Sequence, residues 1–230
     1  MANLTVVMNQ AIRNDDLNRV KETLQDPDFD VNAERPDDVD GPIGTPLYNA
    51  CTVGNVEVVR LLLADPRIDV NRTVMEFTSA FHSAIIGYCN HKIVTNPEQN
   101  RKSEDYLQII NMLLDDSRLD INAQTEKCQP VFYYVASMGK NDLLLLIMKK
   151  RPEVDVNIRY LAYGNTPLMI AAYFGHVETV DFLLRSPQVS IYDQNDKRET
   201  VRDMVLNQMK EFPNWKNVQF RKILHLVENH

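Results

Sequence analysis

Three cysteines and five histidines are the side chains of this 230-residue sequence best suited to nucleophilic or metal chemistry. A cysteine nucleophile needs a histidine within hydrogen-bonding reach, and a closed zinc site needs four ligands. Cys89 and His91 are the nearest approach to a ligand pair, and no second pair with zinc spacing follows them. The seven glycines form neither of the common phosphate-binding motifs, G-x-G-x-x-G and G-x-x-x-x-G-K-[ST]. We therefore predict no catalytic residue, no metal ligand and no cofactor.

Charge and composition argue against several other classes of protein. The net charge is −7, which disfavours nucleic-acid binding because phosphates attract a positive surface. The most apolar run, residues 143–148, is much shorter than the roughly 20 residues that cross a bilayer. The N-terminal residues lack the pattern of a secretory signal, and the odd number of cysteines favours a reducing compartment. We expect a cytoplasmic protein that binds neither nucleic acid nor membrane, with the nucleus or a host cytosol as alternative locations.

The secondary-structure elements that would position any functional residues belong to a sequence repeat. Residues 44–63 contain Thr-Pro-Leu, a glycine eight residues after the proline and a closing apolar run, and residues 164–184 repeat this pattern. A phrase made of an apolar residue, Asp, Val or Ile, and Asn closes four of the repeats, at residues 29–32, 68–71, 119–122 and 154–157. Repetition at this period indicates stacked units, each of which is too small to bury its apolar face alone.

The best-preserved repeat predicts a helix, a turn and a second helix. Thr166 stands where a helix N-cap belongs, and Pro167 takes the first helical position, where its missing N–H costs nothing. Gly175 ends this helix, because glycine adopts the left-handed conformation without strain. Apolar residues follow at helical spacing on one face of each helix: Leu168, Ala171 and Ala172 in the first, and Val177, Val180, Leu183 and Leu184 in the second.

These motifs resemble the ankyrin repeat, a unit of about 33 residues with the signature Thr-Pro-Leu-His-x-Ala. Residues 45–50 and 166–171 match the signature best, residues 79–84 and 200–205 match it weakly, and residues 131–136 form a degenerate copy. The N-terminal repeat lacks the signature and is similar to a capping repeat, with apolar residues at Ala11, Leu17, Val20 and Leu24.

The resemblance implies an all-α fold, a single ankyrin-repeat solenoid over residues 1–230, built from helix-turn-helix repeats with hairpin-like loops. The approximate repeats are residues 1–32 (N-cap), 33–71, 72–122, 123–157, 158–193 and 194–230 (C-cap). The third of these contains about 16 extra residues between its helices, near residues 89–104, which we expect to form an exposed polar loop.

The resemblance also implies a non-enzymatic protein–protein interaction module, acting as an adaptor, inhibitor or assembly scaffold. Its partner would lie in a concave groove and against the fingers, the loops that precede the first helix of each repeat. We expect the chain to be monomeric on its own, and the sequence does not identify the partner. The alternative is an effector whose activity resides in the 89–104 insert.

Transfer of the family's variable positions gives the candidate binding residues. The groove candidates precede each turn glycine, and they are Thr52, Val53, Ile86, Ser137, Met138, Tyr173 and Phe174. The finger candidates are Asp37, Asp38, Asp40, Arg159, Tyr160, Tyr163 and Asn165. Tyr173 and Phe174 are the expected anchors, because exposed aromatic side chains commonly contribute most to binding. The alternative is that one of these two rings packs against the neighbouring repeat.

The remaining cysteine, histidine and tyrosine side chains have simpler structural roles. Cys51 stands at the second alanine position of its repeat, so we expect it to be buried between helices. His82 and His176 occupy familiar structural positions, the first in the signature and the second after the turn glycine. Tyr133 and Tyr134 are interpreted as core replacements for the leucine and histidine of the signature.

Overall fold

The structure, a computed structural model, describes residues 3–34, 44–89, 103–211 and 217–230. These residues form twelve α-helices and one short β-hairpin, which confirms the all-α prediction. The helices are α1 (Leu4–Arg13), α2 (Leu17–Gln25), α3 (Pro46–Val53), α4 (Val56–Leu63), α5 (Ala80–Cys89), α6 (Ser103–Asp115), α7 (Val131–Ser137), α8 (Asn141–Lys150), α9 (Pro167–Phe174), α10 (Val177–Leu184), α11 (Val201–Glu211) and α12 (Asn217–Glu228). The antiparallel hairpin joins β1 (Thr73–Val74) to β2 (Thr78–Ser79).

The helices pack in consecutive pairs within two compact units. The N-terminal unit is Met1–Asp120, in which α1 packs on α2 and α3, α3 on α4 and α5, and α5 on α6. The C-terminal unit is Ile121–His230, in which α7 packs on α8 and α9, α9 on α10 and α11, and α11 on α12. Each helix pair buries its apolar face against the next pair inside the same unit.

The helix ends follow the sequence signals in the two best-preserved repeats. The Thr45 and Thr166 hydroxyls accept hydrogen bonds from the third backbone N–H of their helices. Gly54 and Gly175 end those helices in the left-handed conformation, with φ of 71° and 78°. The weak match at residues 200–205 is also capped, since Thr200 and Asp203 exchange side-chain and backbone hydrogen bonds. These bonds from Thr200 hold the pKa of Asp203 below its ordinary value.

The repeat with the insertion departs from this pattern. No left-handed glycine ends α5, which continues through Gly87 to Cys89. Helix α6 begins at Ser103, so Ser103 and Glu104 belong to a helix rather than to the predicted loop. The bulk of the predicted insert, residues 90–102, lies outside the described residues.

The degenerate repeat is aligned one residue differently from our expectation. In four of the repeats the residue two positions after the N-cap is buried: Leu47, Phe81, Phe132 and Leu168. Phe132 therefore replaces the leucine of the signature, and Tyr133 replaces its histidine. Tyr133 is buried as expected, but Tyr134 is only half-buried and belongs to a surface described below.

The closing phrases form a ladder of asparagine side chains. Asn71 Nδ2 donates to the Arg118 carbonyl, and Asn71 Oδ1 accepts from the Asp120 N–H, both at 2.8 Å. Asn32, Asn122 and Asn157 make the same two bonds to the following closing loop. In the last closing loop Tyr192 replaces the asparagine, and its side chain is 82% exposed. The recurrent asparagine is thus explained by hydrogen bonds from its side chain to main-chain groups of the following closing loop.

We expect Asn71→Ala to lower the free energy of unfolding by about 1 kcal/mol, because two main-chain groups lose their side-chain partner. Urea denaturation monitored by circular dichroism measures this change. Tyr192→Ala, at the corresponding position of the last closing loop, is the matched control and should change stability by less than about 0.5 kcal/mol. Equal losses from the two variants would show that the ladder bonds do not stabilise the fold.

Candidate functional site

The C-terminal unit contains an open groove with a volume of about 1000 Å³. It lies along α7, α9 and α11 and reaches the fingers that precede α9 and α11. Five aromatic side chains line it, so we call it the aromatic groove: Tyr133, Tyr134, Tyr163, Tyr173 and Phe174.

Two of these rings project from the end of α9. Tyr173 and Phe174 are the last residues of the helix before Gly175, and their side chains are 43% and 54% exposed. The two rings meet edge to face, with centroids 5.3 Å apart and an interplanar angle of 86°. An exposed pair of this kind leaves a large apolar surface in contact with water, which is characteristic of interaction sites.

A third exposed ring comes from the finger before α9. Tyr163 is 64% exposed, and its ring packs edge-on against Tyr160 at 5.9 Å between centroids. Tyr160 is itself buried, and its hydroxyl donates to the Glu126 carbonyl at 2.9 Å. The Tyr160 and Gly164 N–H groups close the finger by donating to Asn165 and Tyr160 carbonyls. The prediction of Tyr160 as a surface contact is therefore wrong, because its ring supports the finger that presents Tyr163.

Polar side chains form the other wall of the groove. Arg159 pairs with Asp196 at 2.9 Å, and Glu199 accepts hydrogen bonds from the carboxamides of Asn195 and Asn207. Lys197, Lys210 and Glu211 also line the groove. With Arg159 included, three cations and three carboxylates surround it, so its charge is balanced.

The other predicted groove residues differ in their exposure. Ile86 is exposed, and Thr52 is half-buried with its hydroxyl 2.6 Å from that of Ser83. Val53 is buried, so the prediction of a surface contact there is wrong: it lies in the last turn of α3, on the face that packs inward. Ser137 lines the aromatic groove, whereas Met138 is half-buried beside it in the sequence.

The predicted finger residues fall into two sets. Arg159, Tyr163 and Asn165 come together around the aromatic groove, since Asn165 lines it and Arg159 pairs with Asp196 on its wall. Asp37, Asp38 and Asp40 lie outside the described residues.

Two cysteines and two histidines of the described residues have structural surroundings. Cys51 and Cys128 are buried, and burial raises the pKa of each thiol, which disfavours the nucleophilic thiolate. His82 Nδ1 lies 2.8 Å from the Ser79 hydroxyl, and His176 Nε2 lies 2.8 Å from the Ser137 carbonyl. In the part of the chain that the structure describes, no three His, Cys, Asp or Glu side chains are grouped as a metal site would require. Nor does any described helix have the length and apolar character of a membrane span.

One exposed apolar feature was missed in the sequence. The tip of the β1–β2 hairpin presents Met75 and Phe77, and its backbone is left-handed at Met75 and Glu76. In the finger before α9, Leu161 and Tyr163 occupy the corresponding positions and are also exposed. The sequence did contain a signal for this feature. These apolar residues lie between a closing phrase and the next helix cap, where a solvated loop is expected to be polar.

Comparisons with known proteins agree with this architecture. A model of ankyrin repeats in three copies matches residues 101–195, and a model of a single ankyrin repeat matches residues 43–72. No curated protein matches the chain. Together the two matched ranges cover more than half of the sequence.

Solved structures show the same fold. An ankyrin repeat domain from Acinetobacter baumannii AYE is 18% identical, with 96% of each chain covered and a TM-score of 0.67. The ankyrin repeat protein EF0377 is 19% identical, with 98% of each chain covered and a TM-score of 0.68. A structure of a predatory endopeptidase from Bdellovibrio bacteriovorus in complex with an immunity protein also matches, at 19% identity, 97% of each chain and a TM-score of 0.63.

Ankyrin repeats are generally protein–protein interaction modules, and the family is generally non-enzymatic. The predicted signatures at residues 45–50 and 166–171 lie inside the two matched ranges, and the paired helices have the ankyrin-repeat solenoid fold. The chain is an ankyrin-repeat protein.

Proposed function

We propose that this protein binds a protein partner, without chemistry of its own, through the aromatic groove of its C-terminal unit. The observation that carries the proposal is the convergence of three exposed aromatic side chains on one groove: Tyr163, Tyr173 and Phe174. Aromatic anchors of this kind bury a large area at a small cost in side-chain entropy, and they dominate many interfaces.

The groove is also prepared for binding before a partner arrives. Tyr163 is held by a finger whose own hydrogen bonds close it, and the Tyr173 ring is braced edge to face by Phe174. Arg159 and Asn165 belong to the same finger and are proposed as polar contacts at its edge. Because little has to become ordered on association, most of the interaction energy remains available as affinity.

Such a module can act as an adaptor, an assembly scaffold or an inhibitor that covers a working surface of its partner. The Bdellovibrio structure contains an endopeptidase with an immunity protein, and it supports inhibition as one form of the role. In the N-terminal unit, Thr52 and Ile86 remain proposed contacts, together with Asp37, Asp38 and Asp40 of the first finger. The protein is proposed to be monomeric without its partner.

We expect Tyr173→Ala and Phe174→Ala each to weaken partner binding about tenfold, because each removes part of the exposed aromatic pair. The partner is first captured from cytosolic extract with the wild-type protein and identified by mass spectrometry. Its dissociation constant is then measured with purified proteins by calorimetry.

Leu145→Ala is the matched control, because Leu145 is an exposed apolar residue of α8 outside the groove. Circular dichroism must first show that each variant is folded. Undiminished affinity of both aromatic variants would exclude the groove as the binding surface. Replacing residues 90–102 with a short linker, which keeps the described residues of α5 and α6, should leave the affinity unchanged. Loss of function in that variant would favour the alternative of an effector activity in the 89–104 insert.

A further inference from the structure

A carboxamide that lines the aromatic groove has no hydrogen-bond partner among the described residues. Gln208 lies on α11 one helical turn after Met204, and both side chains line the groove. The Gln208 side chain is only 8% exposed, yet among the described residues nothing donates a hydrogen bond to it or accepts one from it. By contrast, the neighbouring carboxamides of Asn195 and Asn207 both donate to Glu199.

A carboxamide that lines a groove and has no partner in the protein can bond to a bound molecule without giving up a hydrogen bond of the fold. A carboxamide presents one acceptor and one donor side by side. The N–H and C=O of a single residue in an extended chain point in the same direction and match this arrangement, as they do between paired strands.

The rest of the groove is consistent with a polypeptide of low charge. Among the described residues its three carboxylates and three cations balance, so this lining does not favour a strongly acidic or a strongly basic ligand. Ile170 and Met204 add buried apolar surface, and Tyr173 and Phe174 add exposed aromatic surface. A volume of about 1000 Å³ that is open along one side accommodates a chain segment better than a small enclosed ligand.

We infer that the partner inserts an extended, weakly charged segment into the aromatic groove. The N–H and C=O of one of its residues pair with the Gln208 carboxamide, and an apolar side chain nearby packs on the Tyr173–Phe174 pair. This inference rests on the proposed function and adds to it the form of the partner and a main-chain contact that defines its register.

The test starts from a display library of random linear peptides, selected on the full-length protein. Selected peptides are synthesised with a single N-methyl group at each position in turn, which removes one N–H at a time. Their affinities for wild-type protein and for Gln208→Met, which keeps the side-chain length but not the hydrogen bonds, are measured by fluorescence anisotropy. Gln194→Met, an exposed position outside the groove, is the control variant.

We expect Gln208→Met to weaken peptide binding about tenfold and Gln194→Met to leave it unchanged. One N-methyl position should cost wild-type protein about tenfold and should cost Gln208→Met nothing further. Affinity should change little between low and high salt, because no net charge is paired. Because the N-methyl series leaves wild-type protein unaltered, it stays informative if Gln208→Met fails to fold.

Three results would overturn the inference. The first is that no linear peptide is selected, the second that every N-methyl position costs wild type and Gln208→Met equally, and the third that affinity falls steeply with salt. If Tyr173→Ala abolishes binding while Gln208→Met does not, the extended-segment inference fails and the proposed function stands. If neither variant affects binding, both fail.

Discussion

Replacing Gly87 with alanine is expected to destabilise the protein by about 2 kcal/mol, although alanine is the better helix former by about 1 kcal/mol. Gly87 lies inside α5, and a Cβ atom there would fall 2.1 Å from Cε1 and 2.4 Å from Cδ1 of Tyr106. The ring cannot move aside easily. It is buried, its hydroxyl donates to the Thr52 carbonyl at 3.1 Å, and Gly54 also lies close against it.

A double-mutant cycle with Tyr106 tests this explanation. In the Tyr106→Ala background the obstacle is gone, so Gly87→Ala should become neutral or stabilising by up to about 1 kcal/mol, as helix propensity alone predicts. Free energies of unfolding of the four proteins are obtained from urea titrations. If Gly87→Ala has the same effect in both backgrounds, contact with the Tyr106 ring does not explain the glycine.

This contact explains why the sequence pattern failed in the repeat that contains it. The position of the turn glycine in this repeat, residue 88, is occupied by tyrosine, so the sequence carries no signal for the end of α5 there. The glycine one residue earlier serves a different purpose, because it admits an aromatic ring from α6 rather than ending a helix. A spacing pattern describes one chain segment, whereas this glycine is required by a residue 19 positions away.

The features that were predictable from the sequence depend on local interactions. The threonine caps, the glycine turns and the closing asparagines each satisfy backbone groups of a short stretch or of the adjacent repeat, so residue type and spacing reveal them. The alignment of the degenerate repeat was wrong by one residue, because Pro130 stands at the N-cap position and offers no side-chain cap. Without that polar marker, only burial distinguishes Phe132 from Tyr133 as the signature leucine.

Part of the candidate site was predictable, because it too depends on positions that the repeat pattern specifies. Tyr173, Phe174 and Tyr163 follow from the positions of a turn glycine and a finger, which the repeat pattern specifies. Tyr160 has the same residue type and the same finger, but its burial depends on the Glu126 carbonyl of another loop. Gln208 could not be identified, because a glutamine on a helix is ordinarily exposed, and only the packing of α11 shows that its side chain is largely covered and lines the groove.

Another expected result concerns arginines that hold neighbouring repeats together. Arg118→Met should lower the free energy of unfolding by about 2 kcal/mol, because hydrogen bonds from a charged donor to carbonyl groups are among the stronger ones. The Arg118 guanidinium donates to the Leu63, Asp65 and Ile68 carbonyls at 2.7, 3.0 and 3.4 Å. Its geometry is fixed by Asp116, which accepts from it at 2.6 Å. Methionine keeps the aliphatic part of the side chain but leaves the last carbonyl of α4 without this donor.

Arg67 is the natural control, since it occupies the same position one repeat earlier and donates to one carbonyl, that of Leu24. Its main partner is Asp65, and the hydrogen bond between them holds the pKa of that carboxyl below its ordinary value. Arg67→Met should therefore cost less than about 1 kcal/mol, as an exposed ion pair does, and that cost should shrink in about 1 M salt. Most of the larger cost of Arg118→Met should persist in salt, because Arg118 donates to three carbonyl groups in addition to Asp116. Equal costs for the two arginines, or a cost at Arg118 that salt removes, would show that carbonyl contacts between repeats contribute little.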